Sequence, residues 1–265
     1  MERDPYEGGS DVGRDLARDI GDEPPSSLRD SAPDILSPID DTAPVSGHTP
    51  PPSSTGRSVV DSPEHDWALA RDVIRPAFRP VGTQGLAVED IQRDTLAQHA
   101  MQSHAQPVLD AGPAGLPVVY AIPAGGFDIV VNGDHVLSWG IEAVELQDAA
   151  LRNLAAWSAS APWTDEVSGE RRLISSDTGD GLDAVRILLP DVITHLAQEL
   201  GKDGARVLVG IPERHLLTAA SLRPTDQGFA AMFAEFIVEQ SGGADEPIDR
   251  RVFEIVDGRL VEFGG

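Results

Sequence analysis

The stretch RVLVGIPERHLLTAA, Arg206 to Ala220, holds two largely apolar runs on either side of Pro212-Glu213-Arg214. Runs of that length around a short polar turn predict a hairpin over Arg206–Ile211 and His215–Ala220. The same pattern recurs downstream, where Val252–Val256 and Arg259–Phe263 surround Asp257-Gly258, the dipeptide best suited to the left-handed backbone of a two-residue hairpin turn. Upstream, Val118–Ile122 and Phe127–Val131 lie on either side of Ala124-Gly125-Gly126. Three hairpins therefore lie among helical segments rather than alternating with them one for one. That order predicts an α+β fold, an antiparallel or mixed sheet with helices packed on it, and not a doubly wound parallel sheet.

Helical periodicity fills the intervals. Trp67, Ala70, Val73 and Ile74 share a face until Pro76. A second helix is expected over Val88–His104, burying Ile91, Leu96 and Ala100, and a third over Ile141–Trp157 with Val144, Leu151 and Leu154 inwards. Val185, Leu188, Val192, Leu196 and Leu200 keep a helical period on both sides of Pro190, which predicts a kinked helix. Asp183 is its natural N-cap. Phe229, Met232, Phe233, Phe236 and Ile237 form the clearest amphipathic pattern in the chain.

Ahead of these elements the composition changes. Residues 1–62 carry ten Asp, three Glu and five Arg, a net charge of −8, with nine Pro, ten Ser and Tyr6 as the single aromatic. Such a segment cannot bury enough apolar surface to offset the roughly 1–2 kcal/mol per residue that ordering a backbone costs. A disordered acidic tail over 1–63 and one domain over 64–265 are expected. Within the tail, Val12, Leu16 and Ile20 fall at i, i+4, i+8, a short stripe that would face a partner if the segment became helical.

Charge and composition exclude much chemistry. Of the formal charge of −24, −16 belongs to the domain, so phosphate backbones and anionic lipids are repelled and neither nucleic acid nor membrane is expected as a partner. The chain has no cysteine and one lysine, Lys202. Thiolate metal sites, Fe–S clusters and thiol nucleophiles are excluded, and Schiff-base chemistry is disfavoured. No Gly-x-Ser-x-Gly, Gly-x-x-x-x-Gly-Lys, Gly-x-Gly-x-x-Gly or His-Glu-x-x-His motif occurs, and no cofactor is implied. The opening Met1-Glu2-Arg3-Asp4-Pro5 lacks the basic and apolar run of a signal peptide, and no stretch approaches the roughly 18 apolar residues of a membrane span. A cytoplasmic location follows as the expectation.

Some chemistry is left to weigh. Asp177, Asp180 and Asp183 cluster around Gly179 and Gly181, a spacing that could present oxygens to a hard cation, with His195 completing a carboxylate/histidine set through Asp183 or its i+4 neighbour Asp191. The segment lacks the alternation and distal Glu of an EF-hand loop, so a solvated turn ending in an N-cap is the simpler alternative. His215 stands at a hairpin rim beside Glu213 and Arg214, where an acid/base group or a contact residue could sit. Trp163, in the polar connection Ser160–Thr164, is a candidate contact residue.

One set of blocks resembles a known family. Val118–Ile122, Trp139-Gly140-Ile141 through Glu145-Leu146, and Ala149 to Leu154 come first. Asp180-Gly181-Leu182-Asp183-Ala184, Arg186-Ile187-Leu188, Val209-Gly210-Ile211-Pro212 and Leu216-Leu217 then follow in the same order. Together they resemble the YtpQ-like family of bacterial proteins over roughly residues 117–220. The chain departs from that pattern at Val185, where a serine is usual, and at His215, where an aspartate is common. The family is a domain of unknown function, so the resemblance implies a fold and a bacterial, intracellular setting without an activity. Two functions are carried forward. One is a non-catalytic interaction or adaptor protein that meets protein partners through the acidic tail and the domain surface, and the other is a metal-assisted hydrolase or cation-binding domain built on the aspartate cluster.

Overall fold

A computed structural model describes residues 62–98 and 104–264. The acidic segment up to residue 61, with Val12, Leu16 and Ile20, lies outside the described residues, as does Ala100. The fold is α+β with one mixed and one antiparallel sheet, as the hairpins predicted.

The chain enters through a single helical turn, α1 (Trp67–Ala70), and passes directly into β1 (Arg75–Phe78). Pro76 therefore lies in a strand that the helical reading missed. It is tolerated because β1 is an outer strand of its sheet, where a missing N–H breaks no inner ladder. β2 (Leu86–Ala87) precedes α2 (Arg93–Gln98); of the helix expected over Val88–His104, the described residues show a 3-10 turn at Val88–Asp90 in place of its first turn, then α2, and His104 lies outside any helix. β3 (Val108–Ala111), β4 (Pro117–Pro123) and β5 (Asp128–Val130) complete a sheet in which β4 pairs antiparallel with β1, β3 and β5, while β2 and β3 run parallel. Val118 to Ile122 are all buried, as a strand paired along both sides and covered on both faces requires.

α3 (Gly133–Trp139) was not legible beforehand. Its start is fixed by a reciprocal cap: the Asn132 side chain accepts from His135 N–H at 3.0 Å, and Asn132 N–H donates to His135 Nδ1 at 3.1 Å. Burial holds the His135 imidazole below its ordinary value of 6.5, with Glu64 and Asp134 opposing. Because the folded state binds this proton more weakly than the unfolded chain, the contribution is present above pH 6.5 and is lost as pH falls from there through the lowered folded value. Urea unfolding of wild type and His135→Gln at pH 7.5 and 5.5 checks this. The glutamine keeps the cap without titrating, so the variant is expected to lose less stability on acidification than wild type does.

α4 (Ala143–Ser158) closes over β1 and buries Leu146, Ala149, Ala150 and Leu154. Val144 and Leu151, expected to face inwards, are 56% and 37% exposed. The helix is turned so that its small alanines allow close approach to the sheet, and Leu151 is left on the outer surface.

The second sheet is entirely antiparallel. β6 (Thr164–Ser168) and β7 (Arg171–Ser176) form a further hairpin, followed by a 3-10 turn at 184–188 and α5 (Pro190–Leu200). Pro190 does not kink a longer helix. It opens α5 at the first helical position, where its missing N–H is no loss. β8 (Arg206–Glu213) and β9 (Leu216–Leu222) make the hairpin first quoted, α6 (Gln227–Gly243) crosses back, and β10 (Val252–Val256) pairs with β11 (Arg259–Glu262) across Asp257-Gly258, both at positive φ. The strand order is β11-β10-β8-β9-β7-β6.

Alternate residues of β8 and β9 serve opposite faces. Val207, Val209, Ile211, Leu217 and Ala219 join α5, together with Phe78 and Val118 of the first sheet and Leu116 just ahead of β4. Leu208, Ala220 and Leu222 join Phe233 and Ile237 of α6. Hence every residue of β9 is buried. α6 buries only part of its apolar surface: Met232 is 54% exposed, and Phe229 and Phe236 are half-buried.

Candidate functional site

The largest fully buried side chain among the described residues is a charged one, Arg186, 1% exposed. It stands in Ala184-Val185-Arg186-Ile187-Leu188, an apolar run whose other members all pack into or against the core. The 3-10 turn sends it beneath the end of α4, where each of its N–H groups finds an acceptor. Nε donates to Ser158 Oγ at 3.0 Å, Nη1 to Ser176 Oγ at 2.7 Å and Pro162 O at 3.2 Å, and Nη2 to Ser158 O at 3.1 Å and Ala161 O at 3.3 Å. These five bonds use the whole donor set of a guanidinium. The Trp163 ring lies 3.7 Å from Cζ, at cation–π distance. Burial lowers the Arg186 pKa to about 10, Asp183 opposing, so the group is charged at neutral pH.

The countercharge arrives through a hydroxyl. Ser176 Oγ, while accepting from Arg186, donates to Asp183 Oδ1 at 2.5 Å. Asp183, 0% exposed, also accepts from Thr178 N–H at 3.1 Å and Thr178 Oγ1 at 3.0 Å. Its backbone is already helical, φ −60 and ψ −51, and its side chain caps nothing. The expected N-cap is thus corrected: an N-cap carboxylate needs an extended backbone to fold back on the helix, whereas here the side chain points into the core. Gly181 sustains the loop at φ +72, where a Cβ would stand 2.5 Å from Arg214 Nε. Arg214 in turn bonds Gly181 O, Glu246 and Asp128, tying the loop to the first sheet.

Above Arg186 opens a cleft of about 690 Å³. Arg186, Ser158 and Trp163 form its floor, and Leu151, Ala155, Leu188 and Leu189 its apolar walls. Asp148, Arg152, Asp191 and His195 stand at the rim. His195 lies beside Trp163, ring centroids 5.7 Å apart. Asp191 and His195 share this rim without an ion pair between them.

The structure therefore separates the proposed metal set. Asp183 is committed to Ser176 and Thr178, Asp180 Oδ2 accepts from Trp157 Nε1 at 3.0 Å, Asp177 faces a different groove beside α6, and His195 belongs to the cleft. Among the described residues no three His, Asp or Glu side chains gather as a metal site. His215 sits at an acidic cleft of about 560 Å³ with Glu213, Glu239 and Glu246, its Nδ1 buried without a hydrogen-bond partner among the described residues. Trp163 is half-buried and lines the cleft, so of the two domain residues singled out for contact it has the more developed surroundings. Arg186 itself was overlooked. Its signal was in the sequence, since one charge inside an apolar run is the pattern of a buried, fully bonded ion.

No family model, curated protein or solved structure matches the chain.

Proposed function

We propose that the chain is a non-catalytic interaction protein of the bacterial cytoplasm, a member of the YtpQ-like family, whose cleft over Trp163 and Arg186 receives an apolar segment of a protein partner. The observation that carries this reading is the complete internal bonding of Arg186. With all five N–H groups engaged by the fold, the cleft offers a partner aromatic and aliphatic surface over a fixed positive charge, together with mixed charges at the rim. An apolar recess ringed by polar groups is the usual make-up of an interface anchor. The acidic N-terminal segment supplies a second contact with the same partner. Nucleic acid is disfavoured by the charge of −24, and among the described residues no helix is long and apolar enough to cross a membrane.

Leu151→Glu tests the cleft, because the side chain is exposed and its replacement leaves the core intact. In affinity purification from the source cell, wild type is expected to recover a specific partner, the variant to lose it, and a form lacking residues 1–62 to retain it more weakly. Nothing specific from any of the three, or equal recovery by wild type and Leu151→Glu, contradicts the proposal. Titration calorimetry with Ca²⁺, Mg²⁺, Mn²⁺ and Zn²⁺ separates off the cation-binding alternative. No saturable heat is expected up to millimolar concentrations, and saturable binding in that range would restore it.

A further inference from the structure

The register of the second sheet places Thr164 opposite Ser175, and Ser175 opposite Thr218. Residues directly opposite across antiparallel strands point to the same face, so three hydroxyls form one row across β6, β7 and β9. That face is the one α6 covers, since Thr218 also lies opposite Gly210, whose α6-facing side abuts Ile237. α6 stops short of the β6 edge and leaves a groove of about 550 Å³ along the row. None of the three hydroxyls has a hydrogen-bond partner among the described residues. For Thr218 the omission is costly: the residue is 0% exposed and its Oγ1 has neither solvent nor partner, a state disfavoured by about 1–3 kcal/mol.

The rest of the groove has a consistent chemistry. Phe229, Met232, Phe233 and Phe236 of α6 form one wall. Glu166 on β6 and Asp177 just past the end of β7, neither of them ion-paired among the described residues, stand on either side of the hydroxyl row. Among the described residues no lysine, arginine or histidine lines it. Arg171 closes one end over Phe229, but its charge is matched by a two-pronged pair with Asp226.

We infer that this groove binds a small primary amine with an apolar body, the ammonium seated on the Thr164–Ser175–Thr218 row between Glu166 and Asp177 and the body against the phenylalanines of α6. An ammonium has three N–H donors and no acceptor, which suits a row of lone pairs flanked by carboxylates. Phenylalanine faces favour a nearby cation and an apolar body alike. A neutral or anionic analogue of the same shape forgoes the carboxylates.

2-Phenylethylamine is the probe, titrated calorimetrically into the full-length protein beside 2-phenylethanol and 3-phenylpropionate. Saturable binding of the amine is expected, at least about tenfold tighter than of either analogue, the factor that about 1.4 kcal/mol commands. Thr218→Val and the Glu166→Gln/Asp177→Asn pair should each weaken it by a similar factor. Thr218→Val is also expected to unfold at an equal or higher urea concentration than wild type, because it removes an unpaired buried hydroxyl without changing shape. Absence of saturable amine binding up to about 10 mM overturns the inference, as does equal binding of the alcohol or undiminished binding by the variants. A Thr218→Val protein less stable than wild type overturns it as well, since the hydroxyl would then have a structural partner. The partner cleft on the α5 side is touched by none of these variants, so either proposal can fail without the other.

Discussion

Arg186→Met is expected to destabilise the domain by about 3–5 kcal/mol, the usual consequence of removing one member of a buried ionic pair. Methionine fills most of the volume and restores none of the bonds. Ser176 Oγ loses its donor, the carbonyls of Ser158, Ala161 and Pro162 lose theirs, and Asp183 is left as a buried carboxylate without a countercharge. Trp163 loses the cation on which it rests. Arg186→Lys should recover only a small part, because an ammonium has three donors on a point charge where the site presents acceptors to a planar fork of five. Equilibrium unfolding in urea checks this through a lower midpoint at unchanged slope. A midpoint within experimental error of wild type would show that the guanidinium is a surface-binding group after all.

Asp183→Asn carries the second large expectation, a loss of about 3 kcal/mol. The asparagine is isosteric: Ser176 O–H and Thr178 N–H can stay on its amide oxygen, but its NH₂ reverses the bond with the Thr178 hydroxyl, which must then accept where it donated to a carboxylate. It also removes the charge that offsets the desolvation of Arg186. Asp180→Asn is the control, since Asp180 is exposed and its amide oxygen can still accept from the Trp157 indole. It should change stability by less than about 0.5 kcal/mol, as surface substitutions generally do. Equal losses at positions 180 and 183 would contradict the separation of the aspartates described above.

Both positions lie in the block that carried the family resemblance, and the structure gives that block a physical meaning. Gly181 turns the chain beside Arg214, Asp183 and Arg186 form the buried pair, and Leu182, Ala184 and Ile187 fill the core around them. What had the look of a possible cation loop is the polar bolt between α4, β7 and the turn leading into α5.

How far this was legible depends on what kind of signal each element left. The three hairpins were readable because apolar runs and the short turns between them are local, two of those turns carrying glycine, and Asp257-Gly258 needs no tertiary context to adopt positive φ. β6 was not readable, since all of its residues are exposed and an edge strand of Thr164-Asp165-Glu166-Val167-Ser168 has no buried face to impose a period. The strand at Arg75–Phe78 was masked by the helical spacing before it and by Pro76, which only an outer strand accommodates. At the site, residue type was legible and direction was not. Asp183 was marked as special, but whether its carboxylate capped a helix, bound a cation or neutralised an arginine was decided by its backbone angles and by Ser176, seven residues earlier. The hydroxyl row beside α6 exists only in the register between β6, β7 and β9, which composition does not encode.

The proposed role of the cleft depends on Arg186 belonging to the fold through Asp183, and a double-mutant cycle measures that dependence. Unfolding free energies of wild type, Arg186→Met, Asp183→Leu and the double variant should show strong coupling, the double variant being less destabilised than the sum of the single ones by about 1–3 kcal/mol. Additivity within about 0.5 kcal/mol would mean that the two charges do not sense one another, and that Arg186 is held in the cleft for something outside the fold.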